Sequence, residues 1–386
     1  MYNSRKLRSF AGLIALVVFV LTLNVSAFAQ FQSSAGSAVL MEASTGQILY
    51  EKNADTAVPP ASITKVMTLL LGLEAVEQGK VKWDDLVTIS EKSWRMGGSK
   101  MFLLVGDKVK YSDIMTGISV VSANDGCVAL AEHLYGSEEA FVQVMNQRAR
   151  ELGMVNSQFK NSSGLPAPGH VMSAKDIAIL ARHIIQNHPK IIELESQREF
   201  TYNNIRQFNR NPLLGVFPGA DGLKTGWTEE AGYCLAGTAQ QNGMRLISVV
   251  LNTKDEKERS TASQELLTYG FRNFKSVKLK NAGEIAGNIE VKNGKKQSVP
   301  IKIDSDISVI IPAARENDIK TEIIKDSSAL NAPVTAGSPV GKLEVQLDGK
   351  TLASTSISTA EDAAGIGIFG LILRGIGNIF KLFTNS

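Results

Sequence analysis

Pro59-Pro60-Ala61-Ser62-Ile63-Thr64-Lys65-Val66-Met67-Thr68-Leu69-Leu70-Leu71 is the stretch that decides how this chain is read. Two prolines cannot continue a helix backwards, and from Ser62 onward good helix formers carry apolar residues at helical spacing. The spacing predicts a helix that starts at Ser62 and runs to about Gly79, with Ser62 and Lys65 on one face. A hydroxyl and an amine one turn apart, beside the free amide donors of a helix N-terminus, supply a nucleophile, a base and an anion site. Ser62 alone could equally be an N-cap.

Two further segments weigh against the cap. Ser122-Ala123-Asn124 follows about 60 residues on, and Lys224-Thr225-Gly226 about 100 residues after that, in the order of the Ser-x-x-Lys, Ser-x-Asn and Lys-Thr-Gly set. In these three motifs the chain resembles the penicillin-recognising serine enzymes, and more narrowly the low-molecular-mass penicillin-binding proteins that are serine D-Ala-D-Ala carboxypeptidases. The resemblance runs from about Ser37 to beyond Phe274. It implies an α/β transpeptidase/β-lactamase-like domain, an antiparallel sheet with a helical subdomain, acting on peptidoglycan stem peptides and acylated by β-lactam antibiotics. No cofactor is implied.

The residue roles follow from the same resemblance. Ser62 is the expected nucleophile and Lys65 its base, since burial and the like charge of Lys224 both favour a neutral amine. Ser122 would relay a proton to the leaving amine, and Asn124 would fix Lys65 and the substrate's backbone amides. Lys224, Thr225 and Gly226 would lie on the sheet's edge strand, where an extended peptide adds as another strand. Gly226 permits close approach, while Lys224 and Thr225 face the substrate carboxylate. The amides of Ser62 and Trp227 would form the oxyanion hole. Arg259, near the head of a later helix, aligns with a family arginine that holds the terminal carboxylate, a task suited to a planar guanidinium. Asn161-Ser162-Ser163-Gly164-Leu165, with Gly169-His170 and Ser173 to Asp176, resembles the loop beneath the active site. It holds no Glu-x-x-Leu-Asn pattern, which implies slow release of a penicilloyl-enzyme rather than efficient antibiotic hydrolysis.

The composition narrows the partners. The formal charge is +3, but Arg5, Lys6 and Arg8 precede the first acid, Glu42; without them 41 − 3 = 38 basic residues face 38 acidic ones, so no nucleic-acid partner is expected. Residues 1–29 carry the three parts of a secretory signal: a basic start, an apolar run from Phe10 to Leu23, and Ala27-Phe28-Ala29 as the cleavage site. Cys127 and Cys234 are too few for a disulfide framework; export permits a bond between them, and small buried thiols are the other reading. The four histidines include no His-Glu-x-x-His helix, which argues against a zinc peptidase, and no metal ligands are assigned.

Along the chain, Ala38–Met41 and Gln47–Tyr50 read as a hairpin at a sheet edge. Helices are expected at Ser112–Ser119, Cys127–Leu134, Ala140–Leu152 and Ser173–His188, strands at Gly222–Trp227, Tyr233–Gln240 and Arg245–Asn252, and a helix at Glu256–Phe271. Strands at both ends around a helical middle suggest an antiparallel sheet. The expected division is a leader at 1–29, a catalytic domain at 30–274, a β-rich domain at 275–358 serving as a spacer, and a tail at 359–386, reached through a Ser/Thr-rich connection from Ser354 to Thr359. In the tail Ile366, Phe369, Ile372, Leu373, Ile376, Ile379, Phe380 and Phe383 form one apolar stripe. It is read as an in-plane amphipathic helix that anchors the exported protein to the outer face of the bacterial cytoplasmic membrane. The competing functions are a D,D-endopeptidase, a β-lactamase and a non-catalytic wall-binding or β-lactam-sensing module. A module that only binds would not require the full proton-transfer set.

Overall fold

A computed structural model describes residues 31–367 together with Gly370 and Ile372. The leader and most of the tail stripe lie outside the described residues. The chain divides between Ser34 and Ala35, and the architecture below is that of the residues from Ala35 on.

Strand β1 (Ser37–Glu42) is buried along its whole length, and β2 (Ile48–Lys52) returns beside it through a turn at Gly46. A single 3-10 turn, Ala61–Thr64, precedes helix α1 (Lys65–Glu77). Then come β3 (Leu86–Thr88), α2 (Glu91–Trp94), β4 (Lys108–Lys110), α3 (Tyr111–Val120), α4 (Asn124–Tyr135) and α5 (Glu138–Glu151). After a long loop follow α6 (Ala174–Asn187), α7 (Lys190–Glu195), and the hairpin of β5 (Glu199–Tyr202) and β6 (Ile205–Phe208). The domain ends with β7 (Ala220–Thr228), β8 (Gly232–Gln241), β9 (Met244–Thr253) and α8 (Glu256–Asn273).

The five long strands form an antiparallel sheet in the order β2-β1-β9-β8-β7. The first strand is therefore not an edge: β1 pairs with β9 through Val39 opposite Val249, and only β2 closes that side. Burial on both faces explains the unbroken apolar run Ala38–Met41, which lacks the alternation of a half-exposed strand. At the opposite edge lies β7, the strand of the third motif.

Helix α1 is buried from Lys65 to Leu73, so its apolar residues surround it rather than forming a stripe. Gly72 interrupts the run for a packing reason. A Cβ there would sit 2.6 Å from the Met115 sulfur, and the Tyr111 hydroxyl donates to the Gly72 carbonyl at 2.9 Å. The hairpin β5–β6 has no counterpart in the sequence reading. Asn203 and Asn204 both take positive φ, the backbone of a two-residue hairpin turn.

Beyond α8 the regular structure is almost all strand: β10 (Phe274–Lys280), β11 (Ile285–Lys292), β12 (Ser298–Ile303), β13 (Ile307–Pro312), β14 (Lys320–Lys325), β15 (Ala329–Asn331), β16 (Pro339–Leu347) and β17 (Lys350–Thr359). Six of them form one sheet, β14-β16-β17-β12-β11-β15, and β10 pairs with β13. Alternating Val299, Ile301 and Ile303 face a separate core shared with Ile307, Val309 and Ile311. The Ser/Thr-rich run expected to be a connection is the second half of β17, with Ser354 and Ser356 exposed and Ile357, Ser358 and Thr359 buried. Pairing continues past it, with Ala363 bridged to Val334 and Gly365 to Gly294.

Candidate active site

The nucleophile candidate does not begin an α-helix. Ser62 sits half-buried in the 3-10 turn, which Ala61 enters with φ +47, and Lys65 is the first residue of α1. The tighter turn still places both side chains together: Lys65 Nζ donates to Ser62 Oγ at 2.9 Å and to the Ser163 carbonyl at 2.5 Å. Lys65 is fully buried, and that burial lowers its amine to about 7, with the positive charges of Lys224 and Arg210 acting in the same direction. Near neutral pH the amine can therefore shed its proton, and its lone pair then accepts from the Ser62 hydroxyl.

The Ser163 carbonyl is fixed by its own loop. Asn161 Oδ1 accepts from the amides of Ser163 (3.1 Å) and Gly164 (2.7 Å), and Asn161 Nδ2 donates to the Leu165 carbonyl at 2.8 Å. Beside it, Glu138 Oε1 accepts from the Ser162 amide and hydroxyl, and Thr68 Oγ1 donates to the Ser162 carbonyl at 2.6 Å. Gly164 is obligatory: at φ +83, a Cβ would lie 1.9 Å from the Ala61 carbonyl. His170 Nδ1 accepts from the Lys160 amide, so its Nε2 carries the proton and donates to Thr64 Oγ1 at 2.8 Å. These contacts tie the loop to the turn bearing Ser62.

Ser122 lies between α3 and α4 with φ +63, a left-handed backbone that a serine takes at a cost of about 1–2 kcal/mol. Asn124 opens α4. Its amide donates to the Ser99 carbonyl at 2.8 Å and its Nδ2 to the Gly97 carbonyl at 2.7 Å. The contact with Lys65 expected of Asn124 is made by the Ser163 carbonyl instead, because Asn124 is engaged by the 97–99 loop. Asp125 holds the continuation of that loop through the amides of Met101 and Leu103.

Strand β7 presents its free edge to the turn. Its ladder with β8 pairs Lys224 with Ala236, Thr225 with Leu235 and Gly226 with Cys234. A Cβ on Gly226 would lie 2.9 Å from the Pro60 carbonyl and 3.1 Å from the Ser62 amide nitrogen, so the glycine lets strand and nucleophile turn approach. Between them opens a cleft of about 570 Å³ bordered by Ser62, Ser122, Asn124, Thr225, Gly226 and Trp227. Lys224, expected to face the substrate carboxylate, is 3% exposed, with its Nζ donating to the Thr225 carbonyl at 3.3 Å and its charge acting on Lys65. Arg210 and Arg259 border the cleft, and so do the carboxylates Glu229 and Glu256.

A serine hydroxyl beside a near-neutral amine, an open strand edge and two guanidiniums are the parts that an acyl-transfer site for an extended peptide needs. The D-alanyl-D-alanine carboxypeptidase family, peptidase S11, matches residues 24–255, and the C-terminal domain of penicillin-binding protein 5 matches residues 274–364. The chain belongs to the D-alanyl-D-alanine carboxypeptidase family. It is 36% identical over 379 residues to the D-alanyl-D-alanine carboxypeptidase DacF of Bacillus subtilis (strain 168), covering 94% of this chain and 97% of that one. The crystal structure of penicillin-binding protein 5 from Haemophilus influenzae superposes with a TM-score of 0.80 at 38% identity, over 86% of this chain and 98% of its own. Penicillin-binding protein D2 from Listeria monocytogenes, in its ampicillin-bound form, superposes with a TM-score of 0.58 at 34% identity, over 62% of this chain and 98% of its own.

In this carboxypeptidase Arg259 lies in the first turn of α8, 5% exposed. Its Nε has no hydrogen-bond partner among the described residues, and its guanidinium stands 5.6 Å from the centre of the Tyr233 ring. Trp227 is 56% exposed at the rim and packs on Tyr233. Two charged residues at the site escape a reading of the sequence. Arg210 reaches the cleft from the loop after β6 and donates to Ser99 Oγ at 2.9 Å. Glu195, 1% exposed, ends α7 behind Lys224; burial pushes its pKa up while the Lys224 charge opposes that shift. Neither residue belongs to a motif, so only their placement in space marks them. Cys127 and Cys234 are both free and buried, not paired; burial pushes the Cys127 thiol up to about 12 and the Cys234 thiol up to about 11, so neither is a thiolate nucleophile.

Proposed function

We propose that this D-alanyl-D-alanine carboxypeptidase works through an acyl-enzyme on Ser62, with Lys65 as the base. The observation that carries the reading is the 2.9 Å contact between Lys65 Nζ and Ser62 Oγ, made by an amine that burial lowers to about 7. Ser62 Oγ attacks the carbonyl between the two D-alanines while its proton passes to Lys65 Nζ. The backbone amides of Ser62 and Trp227 hold the oxyanion. The C–N bond then breaks, the leaving D-alanine amine takes its proton through Ser122, and water hydrolyses the ester.

The substrate strand adds along Thr225 and Gly226, with Asn124 meeting its backbone amides. Lys224 contributes positive potential from beneath, and Arg259 grips the terminal carboxylate. The Arg259 guanidinium, only loosely held by Glu256 at 3.9 Å, favours a free C-terminus and therefore carboxypeptidase over endopeptidase action. β-Lactams acylate the same serine; the ampicillin-bound form of the Listeria relative supports this.

The division into a leader at 1–29, catalytic domain at 30–274, β-rich spacer at 275–358 and tail at 359–386 is part of the same proposal. Among the described residues no helix is long and apolar enough to cross a membrane. Acting on peptidoglycan places the enzyme outside the cytoplasm, and the tail stripe would hold it in the plane of the membrane's outer face. Burying half of its eight large apolar side chains at roughly 1.5 kcal/mol each gives several kcal/mol toward attachment.

Mass spectrometry of the penicillin-treated enzyme tests the nucleophile: one penicilloyl adduct is expected on the Ser62 peptide. An adduct persisting in Ser62→Ala would place the nucleophile elsewhere.

A further inference from the structure

Helices α1, α5 and α6 meet at a polar cluster outside the cleft. Glu74, nine residues along α1 from Lys65 and hence about 14 Å further down its axis, lies with His183 of α6 and His188, the residue that caps α6. One ligand-type atom from each of the three falls within 4.8 Å of the others. His188 Nδ1 is 2.8 Å from Glu77 Oε2, so the carboxylate holds the proton there and leaves a lone pair on Nε2, 3.8 Å from Glu74 Oε1. His183 Nε2 is 3.1 Å from Arg148 Nη2, which can only donate, so this nitrogen also presents a lone pair.

Two imidazole lone pairs and a carboxylate oxygen thus converge, and a cation already sits on two of the three. Arg148 Nη2 sits 2.6 Å from Glu74 Oε1 as well as on His183. The guanidinium has somewhere else to go. It already touches Glu151 on its own helix at 3.1 Å, and it lines an open cavity of about 270 Å³ together with Glu74, Gln147 and Glu151.

We propose that Glu74, His183 and His188 form a site for a divalent transition-metal ion of the zinc class, closed in this structure by the Arg148 side chain. Two imidazoles and one carboxylate are a ligand set such ions take, with a water from the cavity completing a four-coordinate shell. Glu77 acts behind His188 as the outer carboxylate that fixes the ring's orientation and basicity. Metal entry turns Arg148 into the cavity, onto Glu151. An ion pair between α1 and α5 is thereby exchanged for a metal link between α1 and α6. The site is structural: it ties down the far end of the helix that begins at Lys65.

Cobalt(II) titration of the untagged enzyme tests this, because four-coordinate cobalt absorbs strongly in the visible and six-coordinate cobalt weakly. The expected result is one saturating equivalent with strong bands, and a zinc-dependent rise in Tm. Glu77→Gln, which leaves the three ligands in place, should weaken binding about 10–100-fold. Arg148→Met should tighten it by removing the internal competitor, and His183→Ala with His188→Ala should abolish the bands. D-alanine release by each variant reports that it has folded. Equal cobalt affinity in wild type, Glu77→Gln and Arg148→Met, or only the pale six-coordinate spectrum, overturns the site.

Discussion

Replacing Lys65 with methionine removes the buried amine while keeping an unbranched side chain that fits the same space. The folded amine lies near 7, against 10.5 for an ordinary lysine, chiefly because burial disfavours its charge. Between those two values the unfolded chain binds more protons than the folded one, so the wild type gains stability as pH rises through the window and loses it as pH falls toward 7. Integrated from about pH 6 to pH 9, the gain of wild type over Lys65→Met is about 2.5 kcal/mol, or about 5–10 °C in Tm for a domain of this size. Urea and thermal melts of both proteins at several pH values across this range measure the difference, in which titrations common to the two largely cancel. In parallel, the wild-type rate of acylation by a fluorescent penicillin should climb through neutral pH, and Lys65→Met should lose about 100- to 10,000-fold. Stability curves that stay parallel from acid to base would refute the reasoning, since the amine would then titrate like an exposed lysine and could not serve as a base at neutral pH.

Gly226→Ala should fold but lose about 100-fold in penicillin labelling, because its Cβ would push the edge strand off the Pro60 carbonyl and Ser62 amide; normal labelling would mean that this close approach is not required. Amidating the substrate's C-terminus should cost the wild type about 10- to 150-fold in kcat/KM, from a charge-assisted contact of about 1.5–3 kcal/mol, and cost Arg259→Ala much less. Equal penalties would remove Arg259 from carboxylate binding. Ending the chain after Gly365, the last residue bridged to the β-rich domain, should free the enzyme from lipid vesicles while leaving D-alanine release from a soluble pentapeptide nearly unchanged. A truncated protein that still sediments with vesicles would leave the tail without an anchoring role.

Much of the chemistry is legible before any fold. Ser62 and Lys65 lie three residues apart, so local geometry brings them together in a 3-10 turn as well as in an α-helix, and their pairing does not depend on which of the two forms. Asn161 to Leu165 is legible for a similar reason, since an asparagine that bonds amides two and three residues on shapes its own turn. The apolar strands and buried helices follow from periodicity and breakers. Among the exceptions are β5–β6, joined by an Asn-Asn turn without glycine, and β17, whose serines and threonines look like a linker when no partner strand is in view.

What only the tertiary structure decides are the contacts between segments far apart in the chain. The Ser163 carbonyl, 98 residues from Lys65, takes the amine bond assigned to Asn124. Sheet order puts β1 inside and β7 at the edge, and that edge turns Gly226 toward Ser62. Arg210 and Glu195 reach the site as lone charged residues, and a single charge has no periodicity to mark it. The pKa of Lys65 belongs to the same class. A lysine's sequence neighbours cannot desolvate it; that takes a closed core and the positive charges of Lys224 and Arg210 brought near by folding.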